Sequence, residues 1–130
     1  MQPSGFVERP DYRVDLLRRR NRVTARVGDA VLASSEHTLI VDEQDHGLVF
    51  YFPRGDVDLS KLVATDDHSR CPYKGEASYW RLASGSDPVA WSYEEPYPQV
   101  AQIAGYIAFY QGRVDVSIGV ATPAVVGYSK

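Results

Sequence analysis

Cys71-Pro72-Tyr73-Lys74-Gly75-Glu76-Ala77-Ser78-Tyr79-Trp80 decides how the rest of the chain is read. Its first half is punctuation. Proline presets one backbone angle and glycine opens conformations that other residues avoid, so Cys-Pro-Tyr-Lys-Gly reads as a tight turn. Its second half alternates: Ala77 and Tyr79 face one way, Ser78, Trp80 and then Leu82 the other. A repeat of two is the period of a strand, not of a helix. The stretch also holds the only Cys, a Lys and one of the two Trp residues, so chemistry is expected here or in what folds against it.

The same period recurs on both sides. Downstream, Gly85-Ser86-Asp87-Pro88 is a turn, and Val89, Trp91 and Tyr93 are predicted to share the face of the next strand. Residues 98–104 are the one helical segment, with Pro98 at the start, Val100, Ile103 and Ala104 as an apolar side, and Gly105 as terminator. Residues 106–110 and 114–118, joined by Gln111-Gly112, predict a last hairpin. Upstream, Leu48-Val49-Phe50-Tyr51-Phe52 is a strand that Pro53 stops, and residues 59–62 suit one helical turn. Residues 38–41 are a short β-branched strand, whereas 42–47 and 65–70 are polar enough to be expected as loops. Tyr12, Val14 and Leu16, then Val23, Ala25 and Val27, alternate with polar residues on either side of Arg19-Arg20-Asn21. That pattern predicts an N-terminal hairpin with one wet face.

Eight or nine short strands with almost no helix predict a mainly β fold, an antiparallel sandwich or barrel-like sheet. A chain of 130 residues suits one domain, placed at residues 10–120. Residues 1–9 and 121–130 are expected as tails, since Pro, Gly and Ser discourage regular structure there.

Composition narrows the function classes. Nine Tyr, four Phe and two Trp against a single Met favour pleated, half-buried surfaces. One Cys excludes an intrachain disulfide and a Cys-rich zinc site and suits a reducing compartment. No basic-then-apolar leader opens the sequence, and no apolar run approaches the roughly 20 residues of a membrane helix. A cytoplasmic, soluble protein without a membrane partner is expected. The net charge of −3 hides an asymmetry, because residues 9–26 hold seven Arg against Asp11 and Asp15. No aromatics suited to base stacking interleave these arginines, so a solvated strand face is expected and no nucleic acid.

Several groups are candidates for chemistry. Cys71 becomes a nucleophile only if a cation or base lowers its pKa, and Lys74 and His68 are near in sequence. Without a Cys/His/Asn spacing, packing as a small hydrophobe is the plainer reading. Lys74, in a turn, suits an anion or carbonyl anchor, or equally an ordinary surface lysine. Neither a phosphate-loop spacing nor a dinucleotide fingerprint occurs, so no cofactor is expected. Asp66-Asp67-His68, His37, His46 and Glu94-Glu95 lack ligand or dyad spacing, because neighbours on a strand point to opposite faces, and no metal is expected. The aromatics carry the reading furthest. There are more Tyr and Trp than a dry core readily satisfies, since each hydroxyl and indole N–H wants a partner. A subset lining a partly polar cleft accounts for them, and such a cleft suits a cationic or flat small molecule.

Tyr51-Phe52-Pro53, Asp56-Val57, the run from Cys71 to Trp80, Ala90-Trp91-Ser92-Tyr93, Pro96-Tyr97-Pro98, Ile103-Ala104-Gly105 and Ala108-Phe109-Tyr110 occur in this order. Over about residues 10–118 the chain thereby resembles the mainly bacterial family called domain of unknown function 427. The resemblance implies a β-tent fold, two antiparallel sheets meeting at an angle, as in the ligand-binding domain of cereblon and in methionine sulfoxide reductase B. Many of those relatives bind zinc through two Cys pairs, which a chain with Cys71 alone does not carry over. Others are aromatic-cage binders, which makes Trp80, Trp91 and the tyrosines cleft walls by analogy. The family is sometimes labelled nucleotidyltransferase-like, but no paired-Asp site beside a Gly-Ser segment supports that label here.

The expectation is therefore a small-ligand-binding β domain whose cleft is built from Tyr51, Tyr73, Lys74, Tyr79 or Trp80, Trp91 and Tyr93. One alternative is an enzyme using Cys71 or Lys74 in that cleft. The other is an interaction module whose arginine-rich hairpin docks an acidic partner or a second copy of the chain.

Overall fold

The computed structural model describes residues 3–44 and 46–121, which form ten strands. They are β1 (Val14–Arg18), β2 (Asn21–Val27), β3 (Ala30–Ser35), β4 (Leu39–Glu43), β5 (Gly47–Phe52), β6 (Leu62–Cys71), β7 (Gly75–Leu82), β8 (Pro88–Tyr93), β9 (Ile107–Phe109) and β10 (Asp115–Ala121). A seven-stranded sheet runs in the order β1-β4-β5-β9-β8-β7-β6, and a three-stranded sheet in the order β10-β2-β3. Every pairing is antiparallel. The protein is mainly β, as the alternation predicts, with the two antiparallel sheets that the family resemblance implies. The helix expected at 98–104 is present as 3₁₀ turns, Pro98–Ile103, broken by a non-helical Val100. No helix among the described residues is long and apolar enough to cross a membrane. The expected C-terminal tail lies, from residue 122 on, outside the described residues.

β5 shows how the two cores divide. Phe50 and Phe52 face a cluster shared with the small sheet, where they meet Val23, Ala25, Leu32 and Phe109. Val49 and Tyr51 face the other way, towards Leu39, Val41, Tyr93 and the turns carrying Val100 and Ile103. Each side chain on a strand must choose one face, so a continuous apolar run marks a strand covered on both. The small sheet thus closes one face of the large sheet, and the opposite face is left to the 3₁₀ turns and a cleft.

Four local expectations are corrected. Residues 12–27 are not a hairpin: β1 pairs with β4, while β2 pairs with β10 and β3 in the other sheet. The two halves serve different cores, Val14 and Leu16 packing beside Tyr51 while Val23 and Ala25 pack beneath Phe52. Residues 106–118 are not a hairpin either, since β9 lies between β5 and β8 and β10 pairs with β2. Residues 65–70 belong to β6, an edge strand paired with β7 alone, whose register slips between Ala64 and His68. An edge strand tolerates charge and needs little apolar surface, which is why it resembles a loop in sequence. Val89, lastly, does not share the face of Trp91 and Tyr93. Trp80 pairs with Ala90 but Arg81 with Pro88, a bulge that turns Val89 into the core between the sheets.

Candidate functional site

The central turn is pinned from three sides. The Lys74 N–H donates to Cys71 O at 3.3 Å, and the Tyr97 N–H donates to Lys74 O at 3.0 Å. The Gly5 N–H donates to Pro72 O at 2.6 Å, so the segment from Pro3, expected as loose, is hydrogen-bonded to the turn. Arg70 adds a bond to Pro3 O at 2.7 Å. Gly75 has φ +118°, in the region that disfavours any side chain, and a Cβ there would lie 3.4 Å from Glu95 O. The chain therefore reverses just where Lys74 must turn inward.

Lys74 is buried, with 7% of its surface exposed. Its ammonium is paired with the Glu43 carboxylate, itself 8% exposed, at the end of β4. A charge taken out of water has to be compensated, and this pair compensates itself. Glu43 also accepts from the Tyr12 hydroxyl at 2.6 Å, and His46 Nε2 stands 3.6 Å away. Burial pushes the Glu43 carboxyl up, but the hydrogen bonds from Lys74 and Tyr12 and the Lys74 charge outweigh it, and the net shift is downward. On its far side the Lys74 Nζ is 3.9 Å from Cys71 Sγ.

Around this pair the large sheet supplies rings. Ala108 on β9 is opposite both Tyr51 on β5 and Trp91 on β8. With only a methyl group between them, the two large side chains meet above it: the Trp91 N–H donates to the Tyr51 hydroxyl at 3.1 Å, rings 6.2 Å apart and perpendicular. Tyr110 leans on the other side of Trp91 at 4.7 Å. Tyr73 stacks on Tyr12 at 3.7 Å, and Phe6 abuts it edge-on at 5.1 Å. Gly5 lies so close to this ring that a Cβ would come within 2.7 Å of it. The rings, the turn and the end of the β4–β5 hairpin enclose a cavity of about 470 Å³. That volume suits a small organic molecule. Burial raises the Tyr51 and Tyr93 hydroxyls far above the usual phenol value, and burial together with the neighbouring Tyr79 raises Tyr110. These phenols stay protonated at neutral pH and present O–H groups to the cavity.

The family model for a domain of unknown function (DUF427) matches residues 15–119, most of the chain. The chain belongs to the DUF427 family. No curated protein matches it. The matched span of the DUF427 domain includes the Lys74–Glu43 pair and every ring described above except those of Phe6 and Tyr12.

Of the residues singled out in sequence, Tyr51, Tyr73, Lys74, Tyr79, Trp91 and Tyr93 line this cavity, and so does Cys71. Trp80 does not. It packs on the core between the sheets, its indole N–H donates to Ser92 Oγ at 3.1 Å, and the Arg54 guanidinium lies 5.3 Å from its ring. Strand alternation requires this, since Tyr79 and Trp80 cannot share a face. The sequence reading missed Tyr12, Glu43, His46 and Tyr110, all of which line the cavity. For Glu43 a signal existed: Leu39, Val41 and Glu43 keep the same period, and β4 runs through Glu43 rather than yielding to a loop at residue 42. Among the described residues no three His, Cys, Asp or Glu side chains gather as a metal-ligand set.

Proposed function

We propose that this DUF427 domain binds a flat small molecule in the cleft between the Cys71–Lys74 turn and the face of β5, β9 and β8. The observation that carries the reading is the perpendicular Tyr51–Trp91 pair over Ala108, facing a buried ion pair inside one cavity. Ring faces supply stacking area, the protonated phenols supply donors, and the Lys74–Glu43 pair supplies one of each charge without net charge. A ligand of that kind is planar, largely uncharged and edged with acceptors.

Thermal-shift and calorimetric screening of heteroaromatic compounds tests it. Trp91→Ala is expected to weaken a hit by about tenfold, the worth of one aromatic contact in a desolvated site. Val49→Trp, at a residue that lines the cavity, is expected to fill the cleft and abolish the response, whereas Trp80→Phe, on the opposite face, leaves affinity unchanged. A folded Trp91→Ala protein that binds every hit as the wild type does removes the proposal.

A second reading, an enzyme acting through Cys71 or Lys74, is favoured by the 3.9 Å contact between their reactive atoms. Both side chains line the same cavity, where a small electrophile could reach the sulfur. The expected outcome is alkylation of Cys71 by iodoacetamide near neutral pH, slowed severalfold by Lys74→Met. A thiol that reacts only after denaturation leaves Cys71 as a packing residue.

A further inference from the structure

We propose that the hollow where the chain crosses from β1 to β2 binds a doubly charged oxyanion of the phosphate-monoester class. Arg18, Arg19 and Arg20 leave the large sheet there, and with Asn21, His37 and Thr38 they line a concavity of about 340 Å³. Two independent observations point to an anion. The first is charge without counter-charge. Arg13, Arg22 and Arg54 each reach a carboxylate; Arg18, Arg19 and Arg20, like Arg9, Arg26, Arg70, Arg81 and Arg113, reach none among the described residues, and the trio alone stands side by side in sequence around one concavity. Glu36, the nearest acid in sequence to His37, is engaged by Arg22 at 2.6 Å. Among the described residues the one side-chain bond of the trio is from Arg19 to Arg18 O at 2.9 Å. Three adjacent like charges raise the local potential, and an anion relieves it.

The second observation is a buried donor. Thr38 is fully buried, and its hydroxyl has no hydrogen-bond partner among the described residues. Buried hydroxyls nearly always have one, from protein or ordered water, and an oxyanion seated in the concavity that Thr38 lines is an acceptor that would serve. A phosphoryl group offers several acceptor oxygens, and guanidinium forks match their geometry. Had β1 and β2 formed a hairpin, the arginines would have fringed a solvated turn. The crossover instead sets them against the segment entering β4. The site is separate from the aromatic cleft and does not depend on how that cleft is used.

The probes are inorganic phosphate and pyrophosphate, followed by amide chemical shifts at low and physiological salt. Saturable changes confined to the amides of residues 18–21 and 37–38, weakening as salt rises, are expected. Arg19→Gln and Arg20→Gln are each expected to weaken binding about tenfold, the worth of one charge-assisted hydrogen bond. Thr38→Val removes the hydroxyl while keeping the shape. It should weaken phosphate binding severalfold with Tm unchanged or raised, which a merely structural Thr38 would not do. Flotation with phosphatidic-acid against phosphatidylcholine vesicles identifies the source: a response to those vesicles alone places the phosphoryl group on a lipid headgroup, and a response to free phosphate alone places it on a soluble molecule. Absence of saturation with every probe overturns the site. So does binding indifferent to the arginine substitutions, or equal binding of an RNA oligonucleotide by wild type and Thr38→Val, which would mark a diffuse basic face.

Discussion

Glu43→Ala is expected to lower the unfolding free energy by about 3–5 kcal/mol, the cost of leaving a buried lysine without its counter-ion. Lys74 cannot swing out to water cheaply, because its own backbone is tied by Cys71 and Tyr97 and its side chain, 9% exposed, is covered by the turn and the rings. The double variant Glu43→Leu with Lys74→Met is expected to recover most of the loss, since well-packed apolar residues replace a buried pair at little net cost. Urea denaturation of the three proteins at pH 7 measures this. A loss below about 1 kcal/mol, the value of an exposed pair, would show that the ion pair is solvated and the floor of the cleft is open.

The same pair gives the wild type an acid limb. The folded Glu43 carboxyl titrates below its ordinary value of 4.5, so the unfolded chain takes up the proton first as pH falls. The contribution is complete above the ordinary carboxylate range and fades as pH drops through the lower folded value. The double variant should therefore lose less stability than the wild type between neutral and strongly acid pH.

Phe52→Ala is the second large effect, expected at about 3–5 kcal/mol. Phe52 is fully buried and meets Phe109 edge-to-face at 5.5 Å, in the layer that joins the two sheets. Truncation leaves a cavity that neither sheet can collapse into without breaking its register. Leu48→Ala on the same strand, 53% exposed, is expected within about 0.5 kcal/mol of wild type. Far-UV circular dichroism and tryptophan fluorescence should report one shared transition for Phe52→Ala. Separate transitions, or a loss no larger than that of Leu48→Ala, would mean the sheets do not share a core.

Reading the chain from its sequence succeeded where the signal is local. The run from Leu48 to Phe52 and the alternation from Ala77 to Leu82 each fix which residues share a face, because successive side chains on a strand must point oppositely. The Cys-Pro-Tyr-Lys-Gly turn is equally local, and with it came Cys71, Tyr73 and Lys74 as cleft residues. The same alternation, applied strictly, also separates Trp80 from Tyr79, placing only the tyrosine in the cleft.

What failed was choice of partner. Nothing between Arg18 and Asn21 records that β1 joins β4 while β2 joins a different sheet, because alternation states which side is wet and not which strand lies alongside. Val89 was misplaced by one bulged residue, which shifts the face of a side chain without changing composition. Glu43 reached Lys74 from 31 positions away, and Tyr12 reached Glu43 from another 31, only once β4 had been laid between β1 and β5. Sequence by itself determined most of the strands and of their inner faces, the central turn and most of the rings. The tertiary structure alone decided which acid neutralises the lysine and which arginines stand together, because pairing between distant strands is set by the fit of whole faces, not by any one segment.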